Sequence, residues 1–464
     1  MEIGASDKPD NSGEIEQIAS MALNTSLFYQ AELFTEDAIA GQFDHARFNN
    51  RSGAFVDNLS LPVHRWYRYS AGFSADWVRS LIHERFSDSG TFSILDPFAG
   101  VGTTLLACKA EGVQSWGFET HPFIHRIASA KLRGIHANFQ EVRRIFNQFT
   151  DCLSEAPRVE PGHISPLLIK CYSPDSLAYL LTMRDLFLAD FDRKTPESEL
   201  LWLAITAILR VCSGAGTAQW QYVLPNKSKS AVQLPLAAFQ VKAAEILQDI
   251  EYAQRYSWHS SGSVLLTDAR APRKCANIQV DAVITSPPYP NNYDYADATR
   301  LEMTFWGEIN GWGDLQDAVR QYLIRSCSQH VAAEKLLLED VLREPILEPI
   351  QEELSSVCHT LAEVRETRGG RKSYHTMAAA YFRDLGLVFQ ALRSLCRSGS
   401  FLCFVIGDSA PYGVYLDVDK WLGQLALASG FKSYSFEKIR DRNIKWKNRK
   451  HRVPLKEGRL WIQG

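Results

Sequence analysis

Cysteine is scarce and unpatterned in this chain. Nine thiols are spread through 464 residues, with no Cys-x-x-Cys pair and no His/Cys cluster. That spacing excludes a zinc ribbon and a disulfide framework, so no metal site is expected. The odd count suits reduced thiols in a cytosol. No sign of charge dominates: 50 Lys and Arg face 53 Asp and Glu, for a net charge of −3. A partner with many phosphates would therefore be met by local basic patches and not by a global field. Long apolar runs are also missing. The strongest, around residues 200–212, is too short to span a bilayer and contains Arg210; it reads as a buried helix. Residues 1–17 are polar and acidic, without the basic start and apolar stretch of a signal peptide. These absences point to a soluble, cytoplasmic protein with no membrane association. No internal repeat or low-complexity tract stands out.

What is present alternates between strand and helix patterns. Residues 92–95 read as a short strand ending at Asp96, residues 103–110 as a helix, and residues 113–118 as a second strand ending at Glu119. Strand character returns at 264–267, 282–285, 401–406, 433–438 and 459–462. Ser74 is a plausible N-cap for the helix that follows it and runs to about Ile82. Such alternation predicts an α/β fold with a mostly parallel twisted sheet flanked by helices. Two helical stretches, 135–260 and 308–370, are too long for simple crossovers and read as insertions. The expected organisation is an N-terminal arm (1–60) and a catalytic domain in three parts (61–134, 261–307 and 371–464) separated by those insertions. One break interrupts the first insertion, at residues 213–229.

Two loops carry the chemistry. Asp96-Pro97-Phe98-Ala99-Gly100-Val101-Gly102-Thr103-Thr104 lies between a strand and a helix. Gly100 and Gly102 permit a tight turn and bring backbone N–H groups and a helix N-terminus to a ligand. A dinucleotide site would want a third glycine, where this chain has Leu105. Glu119, about 20 residues on at the end of the next strand, can hold ribose hydroxyls. The second loop is Thr285-Ser286-Pro287-Pro288-Tyr289. Paired prolines stop the strand and present Ser286 and Tyr289 stiffly at its carboxyl edge, where open α/β sheets bind ligands.

Together these loops resemble motifs I and IV of the DNA methyltransferases that methylate exocyclic amino groups. The segment from His64 to Tyr69, with Phe73 and Ser74, resembles motif X of the same family. The resemblance implies a Rossmann-like class I methyltransferase fold and S-adenosylmethionine as cofactor. It implies that Tyr69, Asp96, Phe98, Gly100, Gly102 and Thr103 surround the methionine end, that Glu119 takes the ribose, and that Asp268 lies near the adenine. It implies that Ser286, Pro287, Pro288 and Tyr289 serve the target base.

That assignment suits the reaction. The amino nitrogen of cytosine or adenine is a poor nucleophile because its lone pair is delocalised into the ring. Acceptors on its two hydrogens, such as Ser286 Oγ and the Pro287 carbonyl, favour a pyramidal nitrogen that can attack a methyl group. Tyr289 offers a face on which an extruded base can stack. In this family serine at position 286 resembles the cytosine-N4 subgroup, while Asp or Asn usually accompanies adenine-N6, the alternative target. Carbon-5 methylation would need a cysteine after a proline, and none is present.

Duplex DNA is the expected partner, and a cognate restriction endonuclease a possible one. Local basic runs fit phosphate contact. Lys445, Lys447, Arg449, Lys450 and Arg452 form the densest, with Trp446 between them. Arg365–Lys372 is a second, and Lys227 with Lys229 a third. Two other readings remain open: an RNA amino-methyltransferase, and a catalytically silent methyltransferase fold acting as a DNA-binding subunit.

Overall fold

The computed structural model describes residues 55–69, 72–86, 91–159, 164–218, 222–272, 275, 277–333, 335–369, 372–442 and 453–464. Seven strands build one sheet: β1 (Ser93–Asp96), β2 (Gln114–Glu119), β5 (Gly262–Leu266), β6 (Val280–Thr285), β7 (Cys396–Gly407), β8 (Ser433–Arg442) and β9 (Leu455–Gln463). Two more, β3 (Ala215–Thr217) and β4 (Val223–Ser228), pair separately as an antiparallel ribbon.

The lateral order is β5-β2-β1-β6-β7-β9-β8. The first five are parallel, and β9 runs antiparallel to both β7 and β8. From β1 the chain steps outward to β2 and β5, then returns to β6 on the other side of β1. The carboxyl ends of β1 and β6 therefore meet at a topological switch point, where such sheets leave a crevice. This is the α/β fold expected from the alternation of strands and helices.

The central strands are buried on both sides, as parallel strands must be. Leu95, Val283 and Phe404 pack against helices Tyr374–Leu395 and Val418–Ala428. Ile94, Ala282, Ile284 and Cys403 face helices Ala75–Phe86 and Thr103–Ala110. Ser74 caps the first of these through Trp77 N at 3.3 Å.

The stretch between β2 and β5 holds helices Phe139–Glu155, Pro166–Cys171, Pro174–Leu186, Pro196–Cys212 and Pro235–Arg255. It shares one apolar core with helix Pro122–Gly134, Trp66 and Leu105. Leu200–Cys212 is indeed a buried helix turn after turn. The break at 213–229 is the β3–β4 ribbon, which alternating patterns did not reveal because β3 is three residues long. The stretch 308–370 is less helical than its charge pattern suggests. Short turns precede one long helix, Gln351–Glu366. Among the described residues no helix is long and apolar enough to cross a membrane.

Candidate active site

The two loops converge at the switch point, and Asp96 joins them. Its carboxylate, 1% exposed, accepts from Thr285 Oγ1 at 2.5 Å, Thr104 Oγ1 at 2.7 Å and Phe98 N at 3.0 Å. Thr104 also reaches the Ile284 carbonyl at 3.3 Å. Burial pushes the Asp96 carboxyl up to about 6, and the donors draw it part of the way back.

The glycine turn hangs from this anchor. Gly100 and Gly102 hold φ of +52° and +89°, in the left-handed region where a side chain would strain the backbone. Gly102 precedes helix Thr103–Ala110, whose first turn has no side-chain cap. Its N–H groups are thus available to a ligand. The buried ring of Tyr69 lies against the turn: a Cβ on Gly100 would stand 3.7 Å from its Cε1. Glu119 closes the other side, accepting from Gly100 N at 2.9 Å and His121 N at 2.7 Å. Burial pushes its carboxyl up to about 7.

Asp268 follows β5 on the same sheet edge. Its carboxylate is already held by Arg270, through the backbone N–H at 2.9 Å and the guanidinium at 2.6 Å. Arg270 also pairs with the buried Asp384 at 2.9 Å.

In the proline loop, Ser286 Oγ donates to the Val405 carbonyl at 3.1 Å. With its hydrogen so directed, the hydroxyl presents lone pairs elsewhere. Pro287 is buried, while Ser286, Pro288 and Tyr289 are half-buried. Tyr289 packs on Gly407 and under Arg442, whose guanidinium carbon is 5.2 Å from the ring centre. Arg442 is fixed in turn by the Asp408 carbonyl at 3.0 Å.

The run after this loop supplies an aromatic wall. Tyr293 and Tyr295 meet edge to face with centroids 4.4 Å apart, and Tyr222 from the ribbon lies 5.5 Å from Tyr293. Burial raises the hydroxyls of both Tyr69 and Tyr295, and the neighbouring Glu119 carboxylate adds to the rise in each, as Tyr289 does for Tyr295. The wall therefore extends from the glycine turn to the proline loop. Asp294 locks it in place, accepting from Arg320 at 2.8 and 3.0 Å with His330 at 3.5 Å. Its backbone N–H donates to Tyr222 Oη at 2.6 Å.

Several of these supports were not read from the sequence. Thr285 looked like a strand end. Asp249 looked like one more charge on an amphipathic helix. It is 1% exposed and binds Val63 N, the Arg65 guanidinium and Trp66 Nε1, tying the segment that carries Tyr69 to helix Pro235–Arg255. Asp408 accepts from Tyr415 Oη at 2.7 Å and Lys456 N at 3.3 Å in a turn.

Of the basic candidates, Lys227 is exposed on β4. Lys229 is half-buried and bonds the Arg210 carbonyl. Lys445, Lys447, Arg449, Lys450 and Arg452 lie outside the described residues. No cluster of His, Cys, Asp and Glu fit to hold a metal occurs among the described residues.

A family profile described as DNA methylase, of the N6/N4 type, matches residues 49–130, which carry Tyr69, the glycine turn and Glu119. The Type II methyltransferase M.BsoBI of Geobacillus stearothermophilus is 26% identical over 438 residues, covering 85% of this chain and 84% of that protein. The chain is thus similar to N6/N4 DNA methylases, through the profile over its first strands and through this relative over most of its length. A second relative, the Type II methyltransferase M.AvaI of Nostoc sp. (strain PCC 7120), is 26% identical over 417 residues, with 83% of each chain covered. Both alignments run well beyond the profile match. The rRNA methyltransferase aviRa from Streptomyces viridochromogenes superposes with a TM-score of 0.31 at 8% identity, over 88% of this chain and 92% of that one. That superposition is too loose to add to what the strand order shows.

Proposed function

We propose that this protein is a DNA methylase that transfers a methyl group from S-adenosylmethionine to N4 of a cytosine turned out of duplex DNA. The observation that carries this reading is the Thr285–Asp96 hydrogen bond. It sets the serine of the proline loop beside the glycine turn at one sheet edge. Bound there, S-adenosylmethionine supplies an activated methyl on a sulfonium. The residues present fit it: a glycine cradle against Tyr69, an uncapped helix start at Thr103, and the buried Glu119 carboxylate for the ribose. Asp96, Phe98 and Gly102 complete the methionine side. Asp268 would meet the adenine amino group while sharing its charge with Arg270.

The chain's own contribution to the chemistry is positioning. Ser286 Oγ and the Pro287 carbonyl accept the two amino hydrogens and free the nitrogen lone pair. Pro287 and Pro288 keep those acceptors rigid. Tyr289 stacks on the base. The exposed Lys227, the half-buried Lys229 and the basic composition of the run 445–452 suit backbone phosphates. The relatives' designation as Type II methyltransferases supports a role in restriction-modification beside a cognate endonuclease. The three-part catalytic domain, with 135–260 and 308–370 as candidate recognition insertions, belongs to the same reading.

The test is nucleoside mass spectrometry on unmethylated DNA incubated with the protein and S-adenosylmethionine. N4-methylcytosine is the expected product. N6-methyladenine would overturn the base assignment. No methylated base, with cofactor binding intact, would favour a silent binding subunit.

A further inference from the structure

A second concave site lies at the opposite edge of the sheet. It opens at the amino ends of β2 and β5, with a volume of about 490 Å³. Five residues of β2 separate it from Glu119, roughly 17 Å at about 3.3 Å per residue.

Its lining has a one-sided chemistry. Lys109, Arg133, His136 and His259 face it with serine hydroxyls, and no carboxylate is among the lining residues. Lys109 is the central observation, being only 3% exposed. Its ammonium donates to the Ser260 carbonyl at 2.8 Å and meets His136 Nε2 at 3.1 Å. It forms no ion pair among the described residues. A buried ammonium is ordinarily paired with an anion. Burial holds the Lys109 ammonium below its usual range, and no acid offsets it. His136 is lowered as well, by burial and then by Lys109 and His259.

Lys109 and Arg133 stand in the last turns of their helices, where a cation is favoured against the helix dipole. The Lys109 ammonium nevertheless leaves its own helix end and crosses to Ser260. Gly262 opens the floor: a Cβ there would stand 3.0 Å from Ser115 Oγ and 3.6 Å from Lys109 Cε. The buried Ser115 hydroxyl has no hydrogen-bond partner beyond the Cys108 thiol beside it.

We infer that this cleft binds the phosphate group of a small phosphorylated molecule, held by Lys109, Arg133 and the His136–His259 pair. Two cations and a histidine pair line one cleft whose lining holds no carboxylate to neutralise them. The volume suits a nucleotide-sized ligand. A duplex engaged at the far edge of the sheet would supply no phosphate here, so a free phosphorylated molecule is favoured over the DNA backbone.

The experiment labels histidine ring carbons in the full chain and titrates inorganic phosphate by NMR. Saturable shifts of His136 and His259, with Kd in the millimolar range or below, are expected. Arg133→Ala, at an exposed position, should weaken binding about fivefold, and Lys109→Met about tenfold, each removing one charge-assisted partner. Methyl transfer by both variants should match wild type. Absence of saturable shifts would overturn the site. So would binding that neither variant weakens. Shifts produced by a short duplex but not by phosphate would assign the cleft to the DNA backbone and overturn the small-molecule reading. Because the readout is binding, its failure is separable from failure of the proposed methyl transfer.

Discussion

Thr285 donates its hydroxyl to Asp96 Oδ1 at 2.5 Å, joining the end of β6 to the end of β1. Asp96 is buried and, among the described residues, has no cation beside it. Its charge depends on three donors: Thr285, Thr104 and Phe98 N. Thr285→Val should leave the carboxylate one bond short and cost about 1–3 kcal/mol of stability, read by urea unfolding. It should also weaken S-adenosylmethionine binding by about tenfold, since the glycine turn hangs from Asp96. Thr285→Ser should restore both. Wild-type cofactor affinity in Thr285→Val would mean that the turn is held by other contacts.

Cofactor binding should depend on pH through Glu119. Burial raises its carboxyl to about 7, and the His121 and Gly100 N–H groups hold it from rising further. Below that pH the free protein carries a neutral acid, a weaker acceptor for ribose hydroxyls. Affinity should therefore rise with pH from about 5.5 and level off above about 7.5, changing by up to tenfold per unit on the acidic side. Asp96, raised to about 6, would steepen the lower end. Calorimetry across pH measures this. A Glu119→Gln variant should bind weakly and lose the slope near 7; the same slope in that variant would assign it to another group.

The proline loop is tested at Ser286. Ser286→Ala should abolish most methyl transfer, by about a hundredfold or more if positioning of the amino group is the main contribution. Cofactor Kd should be unchanged. Full turnover in this variant would remove Ser286 from the mechanism.

Gly407 probes the setting of Tyr289. A Cβ there would stand 2.8 Å from Tyr289 Cε2 and 2.5 Å from Arg442 Nη1. The arginine tip can move, but the ring must tilt. Gly407→Ala should raise KM for DNA more than it lowers S-adenosylmethionine affinity. Fluorescence of 2-aminopurine at the target position should report weaker capture of the extruded base. An unchanged KM for DNA would show that Tyr289 tolerates the tilt.

Asp249→Ala should destabilise the fold by about 2–4 kcal/mol, because Val63 N, Trp66 Nε1 and the Arg65 guanidinium lose their shared acceptor together. Chemical denaturation gives the value. A loss under 0.5 kcal/mol would show that water replaces the carboxylate.

The parts legible in the sequence were those whose signal is local. Proline pairs, a glycine turn and a short helix at Thr103 each declare themselves within ten residues. The switch-point edge followed from them. The supports were hidden because their partners are distant. Asp249 resembles any solvated carboxylate on a helix until Trp66 is seen against it. The β3–β4 ribbon is too short for alternation to show, and Tyr222 acquires meaning only beside Tyr293 and Asp294. Asp268 gives no local sign that its carboxylate is shared with Arg270, two residues on. Strand β7 begins five residues earlier than its apolar run, at Cys396, because Gly399 adopts φ of +80° and lets the exposed stretch before Phe401 join the sheet.

The bond between Asp96 and Thr285 spans 189 positions of the chain. On a ribosome adding about 5–20 residues per second, the two halves of this edge emerge roughly 10–40 s apart. The helices that share a core with Trp66 and Leu105 can pack during that interval. The edge where the base would react cannot close until β6 has been made and inserted beside β1. A truncated product ending ahead of residue 280 would lack β6 and the helix Arg300–Trp306 that completes that core, and so could not assemble the edge at all.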